Sequence, residues 1–190
     1  NSYNLSHFNF LYELLQDLPI DILAIDYPGY GASSGSPSED GFYNSALLAY
    51  SYAEDTLGYK AKDHFILGYS MGGPVATHVA SQVDSAGLIL INPLSALRDI
   101  LKFRFSIFHV LLWPRSQFNT KEMIGNVQVP ILLLHSKDDD VTPYKYSQTL
   151  YKAAPNGTIF LSSNGYNHRE IDHLLADHWD ALMDFIGPKE

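Results

Sequence analysis

A chain of 190 residues that is 46% hydrophobic is long enough to bury a substantial core, and its length suits one domain. A formal charge of -9, with only 12 Lys and Arg scattered along the chain, argues against a nucleic-acid partner, because neutralising phosphates needs clustered cations. The absence of cysteine excludes a disulfide framework and thiol catalysis and leaves His, Asp and Glu as the only metal ligands. No signal peptide stands at the start and no apolar run is long enough to cross a membrane, so the chain as written reads as an acidic, soluble enzyme.

In chain order, Asn4 or Ser6 caps a first predicted helix with apolar residues Phe8, Leu11, Leu14, Leu15 and Leu18, ended by Pro19. Ile20 to Ile25 reads as a buried strand, and Asp26 to Gly35 is loop, being rich in Gly, Pro and Ser. Ser36, Pro37 and Glu39 form a capping box for the next helix, whose inner stripe is Tyr43, Ala46, Leu47, Tyr50, Ala53 and Leu57, with Gly58 its stop. Asp63 to Ser70 is a strand and Met71 to Val83 a helix. Ala86 to Ile91, Val129 to His135 and Thr158 to Leu161 are further strands, and Thr142 to about Ala154 is a helix. A last helix runs from about Glu170 to Ile186, with His178 on its inner face. Between the strands, residues 94–127 form the least regular stretch and are expected to be a lid or cap excursion. Apolar strands alternating with amphipathic helices predict an α/β fold, a mostly parallel sheet with helices on both faces.

In such sheets chemistry sits at the carboxyl ends of the strands, which singles out Asp26, Ser70, Asn92, the acidic cluster after His135 and the loop after Leu161. Phe65 to Gly73 is an apolar run stopped at a serine between glycines, Gly68-Tyr69-Ser70-Met71-Gly72. A sharp strand-to-helix turn there would lift the serine hydroxyl clear of the sheet as a nucleophile. Alone, that motif occurs by chance in roughly one chain in fifteen of this length, so it needs partners. A serine hydroxyl requires a base within hydrogen-bond reach and an acid to orient the base. Downstream, Asp138, Asp139 and Asp140 follow one strand and His168 follows the next, in the order serine, acid, histidine. His173 and His178 fall within the last helical pattern and are alternatives to His168, while His135, His109, His78, His64 and His7 read as structural or exposed.

The chain resembles the α/β-hydrolase superfamily, and within it the small esterase- and thioesterase-like serine hydrolases. The resemblance rests on Asp26-Tyr27-Pro28-Gly29-Tyr30-Gly31-Ala32-Ser33, on Gly68 to Gly73, and on His135 to Pro143 read as His-x-x-x-Asp-x-x-x-Pro. It implies Asp139 as the acid, with Asp138 the alternative, and His168 as the base through Gly165-Tyr166-Asn167-His168. It also implies oxyanion donors from the backbone N–H groups of Met71 and Asn1. The family's His-Gly before the oxyanion loop is absent, so strands upstream of Asn1 are expected to be missing from the chain as written.

The function expected from this constellation is acyl transfer from an ester, thioester or related substrate, with no cofactor and no metal. A peptidase of the same fold and a non-catalytic binding module that kept the fold are the alternatives. The apolar segment from Phe103 to Trp113 reads as buried packing, the wall of an acyl pocket or a surface that meets lipid. Oligomeric state and location are left open by the sequence, a membrane-associated N-terminus included.

Overall fold

The computed structural model describes residues 20–105 and 116–187, together with Tyr12, Glu13, Leu15 and Leu18. Asn1, most of the first expected helix and residues 106–115 of the apolar segment lie outside the described residues. The chain divides into two compact units, Asn1–Lys60 and Ala61–Glu190.

In the first unit the strand expected over Ile20 to Ile25 is not formed. Ile20, Ile22 and Leu23 are 44%, 43% and 49% exposed. The physical reason is that β-branched composition confers a propensity, whereas a strand exists only through a ladder with a neighbour. No described residue of this unit forms such a neighbour. The loop that follows is organised by turns, Tyr30 N–H to Tyr27 O and Ser33 N–H to Tyr30 O, both 2.9 Å. The Asp26 carbonyl accepts the Ser33 hydroxyl at 2.8 Å.

Helix α1 (Glu39–Asp55) is capped by Ser38, not Ser36. The Ser38 hydroxyl accepts from Gly41 N–H at 3.0 Å, and this register puts both Glu39 and Asp40 in the first turn, where the helix dipole favours carboxylates. Its buried face is Phe42, Tyr43 and Ala53, narrower than the expected stripe, with Leu57 left 48% exposed.

The second unit is a four-stranded parallel sheet in sequence order, β1 (Phe65–Tyr69), β2 (Gly87–Ile91), β3 (Ile131–Ser136) and β4 (Ile159–Ser163). Register fixes what each face carries, because side chains alternate across a strand. Ile66, Leu88, Leu90, Ile131, Leu133 and Phe160 share one face and form the core with Ala76 and Ala80 of α2 (Gly72–Ala80) and Leu150 of a later helix, Tyr144–Ala153. The opposite face meets the C-terminal helices, with the Phe185 ring 5.8 Å from that of Phe65. β2 and β3 are buried along their whole length, and strands covered on both sides need the uninterrupted apolar runs that identified them in the sequence.

Within 94–127 the described residues form α3 (Leu97–Phe105) and α4 (Thr120–Met123). Ile124 and Val127 are buried in the core beneath the sheet. Helix α5 is Tyr144–Ala153. The final helix, expected to be continuous, is two: α6 (Ile171–Asp177) and α7 (Trp179–Ile186), broken at His178 with φ -118° and ψ 22°. The cause is tertiary, since Ser163 at the end of β4 hydrogen-bonds His178 Nε2 at 3.1 Å. Among the described residues no helix is long and apolar enough to cross a membrane.

The turn from β1 into α2 shows which of its glycines sterics demand. A Cβ on Gly68 would stand 2.5 Å from Gly72 O and 2.7 Å from Ala76 Cβ. One on Gly73 would stand 2.7 Å from Pro93 Cβ and 3.2 Å from its Cα. At Gly72, inside the Gly-x-Ser-x-Gly motif, a Cβ meets nothing within 4 Å. Gly68→Ala and Gly73→Ala are therefore expected to destabilise by about 1–3 kcal/mol or more through overpacking. Gly72→Ala should leave stability within about 1 kcal/mol. Urea midpoints of the three variants check this, and equal losses at Gly72 and Gly68 would overturn the steric argument.

Candidate active site

All four strands run in the same direction, so their carboxyl ends open on one edge of the sheet. Ser70 follows β1 directly and adopts φ 52°, a left-handed conformation that costs a non-glycine residue about 1–2 kcal/mol. It is held there from both sides. Ser70 N–H donates to Ile91 O at 3.0 Å, and the Ser70 carbonyl accepts from Gly73 N–H and Leu94 N–H, both at 3.0 Å. Strain maintained by this many bonds marks a position where the direction of the side chain is what matters.

Ser70, His168 and Asp139, 98 and 29 residues apart in the respective pairs, meet at this edge. His168 Nε2 lies 2.8 Å from Ser70 Oγ, and His168 Nδ1 lies 2.6 Å from Asp139 Oδ2. An ionised carboxylate only accepts, so Nδ1 carries the proton and Nε2 is left with its lone pair toward the serine hydroxyl. Asp139 is buried, and burial alone would raise its pKa. The hydrogen bond and charge of His168 and the N–H groups of Thr142 and Val141 outweigh that and hold it below the ordinary carboxylate value. Those N–H groups reach Asp139 Oδ1 at 2.6 and 2.8 Å, and Thr142 Oγ1 lies 2.9 Å from Oδ2. Chemically, the arrangement can pass a proton from Ser70 to His168 while the carboxylate steadies the imidazolium that results.

The other aspartates have different partners. Asp138 Oδ2 accepts from Gly165 N–H at 2.5 Å and Asp140 Oδ1 from His168 N–H at 3.2 Å, so both brace the loop that carries the histidine. His173 is exposed, pairing with Asp172 at 3.9 Å, and His178 sits at the helix break. Met71 opens the turn into α2 with φ -65° and ψ -22°. The second expected oxyanion residue, Asn1, lies outside the described residues. No cluster of three or more His, Cys, Asp or Glu suited to a metal ion occurs among the described residues.

Three participants were not assigned a role by the sequence. Tyr69 stacks on the His168 ring, with centroids 5.1 Å apart, and its hydroxyl donates to the His168 carbonyl at 2.8 Å. Thr142 cradles the acid, and Asn92 lies between the strand ends. Asn92 carried a signal in its place at a strand exit, and Thr142 stands only three residues beyond Asp139; the contact of Tyr69 with His168 spans 99 residues, a distance that no local pattern encodes.

His135 is fully buried on β3. Its Nε2 lies 2.7 Å from Thr142 O, and a carbonyl only accepts, so Nε2 carries the proton and Nδ1 accepts from Ser147 Oγ at 2.6 Å. Burial pushes its pKa down to about 4, although Asp139 and the Thr142 carbonyl pull upward. The folded value thus lies below the unfolded one, near 6.5. The unfolded chain takes up the proton first as pH falls, so this stability is present above about 6.5 and is lost by about pH 4, roughly 3 kcal/mol in all. The Asp139 contribution, whose folded pKa is also lowered, is lost at still lower pH. A His135→Gln variant should show a flatter dependence of the urea midpoint between pH 7 and 4; an unchanged slope would refute the assignment.

A family model described as the alpha/beta hydrolase family matches residues 2–182. The chain belongs to this family. It is 31% identical to the lysophosphatidylserine lipase ABHD12 of Danio rerio over 88% of this chain and 52% of that protein. It is 28% identical to the alpha/beta hydrolase domain-containing protein aho-3 of Caenorhabditis elegans over 94% and 52%. The chain thus spans about half the length of the curated relatives it matches. Among solved structures, an alpha-beta hydrolase from Vibrio vulnificus superposes with a TM-score of 0.79 at 24% identity, covering 92% of this chain and 67% of that one. A monoacylglycerol lipase from Paleococcus ferrophilus gives 0.71 at 16%, covering 97% and 90%. At these identities the structures establish the α/β-hydrolase fold of parallel strands flanked by helices.

Proposed function

We propose that the chain carries the reaction centre of a serine hydrolase that cleaves a carboxylic ester, thioester or related acyl substrate through an acyl-enzyme. The observation that carries this reading is the unbroken relay of Ser70 Oγ, His168 Nε2 and Nδ1, and Asp139 Oδ2 at 2.8 and 2.6 Å. Ser70 Oγ attacks the acyl carbon as its proton passes to His168 Nε2, forming the new O–C bond. The leaving group departs with that proton when the tetrahedral intermediate collapses. Water then attacks the acyl carbon, giving one proton to His168, which returns it to Ser70 as the acid is released. Asp139 keeps the Nδ1–H tautomer throughout. The oxyanion is assigned to Met71 N–H, a donor of this kind being worth about 3–4 kcal/mol in the transition state.

A relative 31% identical over 88% of this chain is named a lysophosphatidylserine lipase, which supports an ester over an amide. Phe103, on α3, is 46% exposed, so its ring is available to a lipid acyl chain. The test is labelling of the intact protein by a fluorophosphonate, followed by turnover of short and long p-nitrophenyl esters beside aminoacyl amides. Labelling at Ser70 with ester turnover is the expected result. Absence of labelling would favour a binding module, and preferential amide cleavage a peptidase.

A further inference from the structure

Asn92, the residue after β2, is fully buried and adopts φ 43°. Asparagine is one of the few residues that enter this region at modest cost, and the conformation turns its four polar groups toward three segments. Its N–H donates to Leu134 O at 2.9 Å, and its Oδ1 accepts from Ser136 N–H at 2.9 Å, both on β3. Its carbonyl accepts from Thr142 Oγ1 of the acid turn at 3.2 Å. Its Nδ2 donates to the backbone carbonyl of His168 at 3.4 Å. The residue before it, Ile91, holds the Ser70 N–H.

The His168 carbonyl thus receives two side-chain donors, Asn92 Nδ2 and Tyr69 Oη, from the ends of adjacent strands. The loop carrying His168 has no ladder of its own to fix it against β1, yet the reach of Nε2 to Ser70 must be held to within about 0.5 Å for proton transfer. We propose that Asn92 is a positioning residue that, jointly with Tyr69, anchors the His168 backbone and so sets the distance from the base to the nucleophile. This rests on the hydrolase reading of the same site.

Two replacements separate positioning from general support of the fold. Asn92→Gly relaxes the left-handed backbone, which offsets part of the cost of deleting both side-chain bonds, and circular dichroism of the variant verifies that it folds. Asn92→Asp keeps an acceptor for Ser136 N–H but turns a second oxygen toward the His168 carbonyl. Both are expected to lower kcat about 10- to 100-fold with KM within about twofold, and to shift or broaden the low-field Nδ1 proton resonance of His168. Tyr69→Phe, which keeps the ring stack, removes the other donor. Because both donors act on one carbonyl, the double variant Asn92→Gly with Tyr69→Phe should be non-additive in log kcat.

A variant with kcat within about threefold of wild type and an unchanged resonance, a rise in KM that matches the fall in kcat, or strict additivity in the cycle would each overturn the proposal. Should the wild-type protein turn over no ester, the hydrolase reading fails instead, and the His168 resonance in the variants still decides whether Asn92 anchors the histidine.

Discussion

Replacing Ser70 with alanine should abolish fluorophosphonate labelling and lower ester turnover by about a million-fold, to the residual level that binding and oxyanion stabilisation support alone. The size of the loss follows from the loss of the covalent route: without Oγ, no acyl-enzyme forms, and His168 can only assist water held in no fixed place. Stability should move the other way in a companion variant. Ser70 sits at φ 52°, so Ser70→Gly removes the backbone strain and is expected to raise stability by about 1 kcal/mol while being as inactive as the alanine. Active-site titration with the probe and a urea midpoint for each variant provide the readout. Retention of labelling in Ser70→Ala would remove the nucleophile assignment outright.

Asp139→Asn should cost about ten-thousand-fold in kcat with the fold intact. The geometry explains why an isosteric change does so much. Asp139 Oδ1 accepts from two backbone N–H groups, those of Val141 and Thr142, so the single oxygen of asparagine is drawn to that side. Its NH2 then faces His168 Nδ1, which must become an acceptor. The imidazole proton moves to Nε2 and points at Ser70 Oγ, where a lone pair is needed. Asp138→Asn provides the control, because Asp138 Oδ2 meets Gly165 N–H and not the imidazole; its effect should stay within about tenfold. Parallel kcat measurements on the two variants check this, and the reverse ranking would transfer the acid role to Asp138.

The fold was legible where burial speaks through composition. β1, β2, β3 and β4 each stand within two residues of an apolar run that the sequence displays; for β2 and β3, buried along their whole length, the reason is that a parallel strand covered on both faces has no polar side to show. The same logic misled at Ile20 to Ile25, an equally apolar run that forms no strand, since hydrophobicity marks a segment as suited to a sheet without supplying its neighbour. The capping box at Ser36 slipped to Ser38 because several serines and acids in one short stretch offer competing registers, and the register with both carboxylates in the first turn is the better one. The last helix broke at His178 for a reason outside the helix, its bond to Ser163.

For the candidate site, the sequence by itself determined the residue types, their order and their strand exits: a serine between glycines, an acidic cluster, then a histidine. Local chemistry carries that much, because a tight turn demands glycine and a strand exit is readable from the end of an apolar run. The tertiary structure decided which aspartate faces the imidazole, which glycines of the elbow have no room for a side chain, and that Tyr69, Asn92, Thr142 and His135 hold the three residues in register. Those decisions depend on distances between atoms separated by up to 99 residues. Hydrogen bonds that act over 3 Å are specified only once the sheet has brought the strand ends side by side.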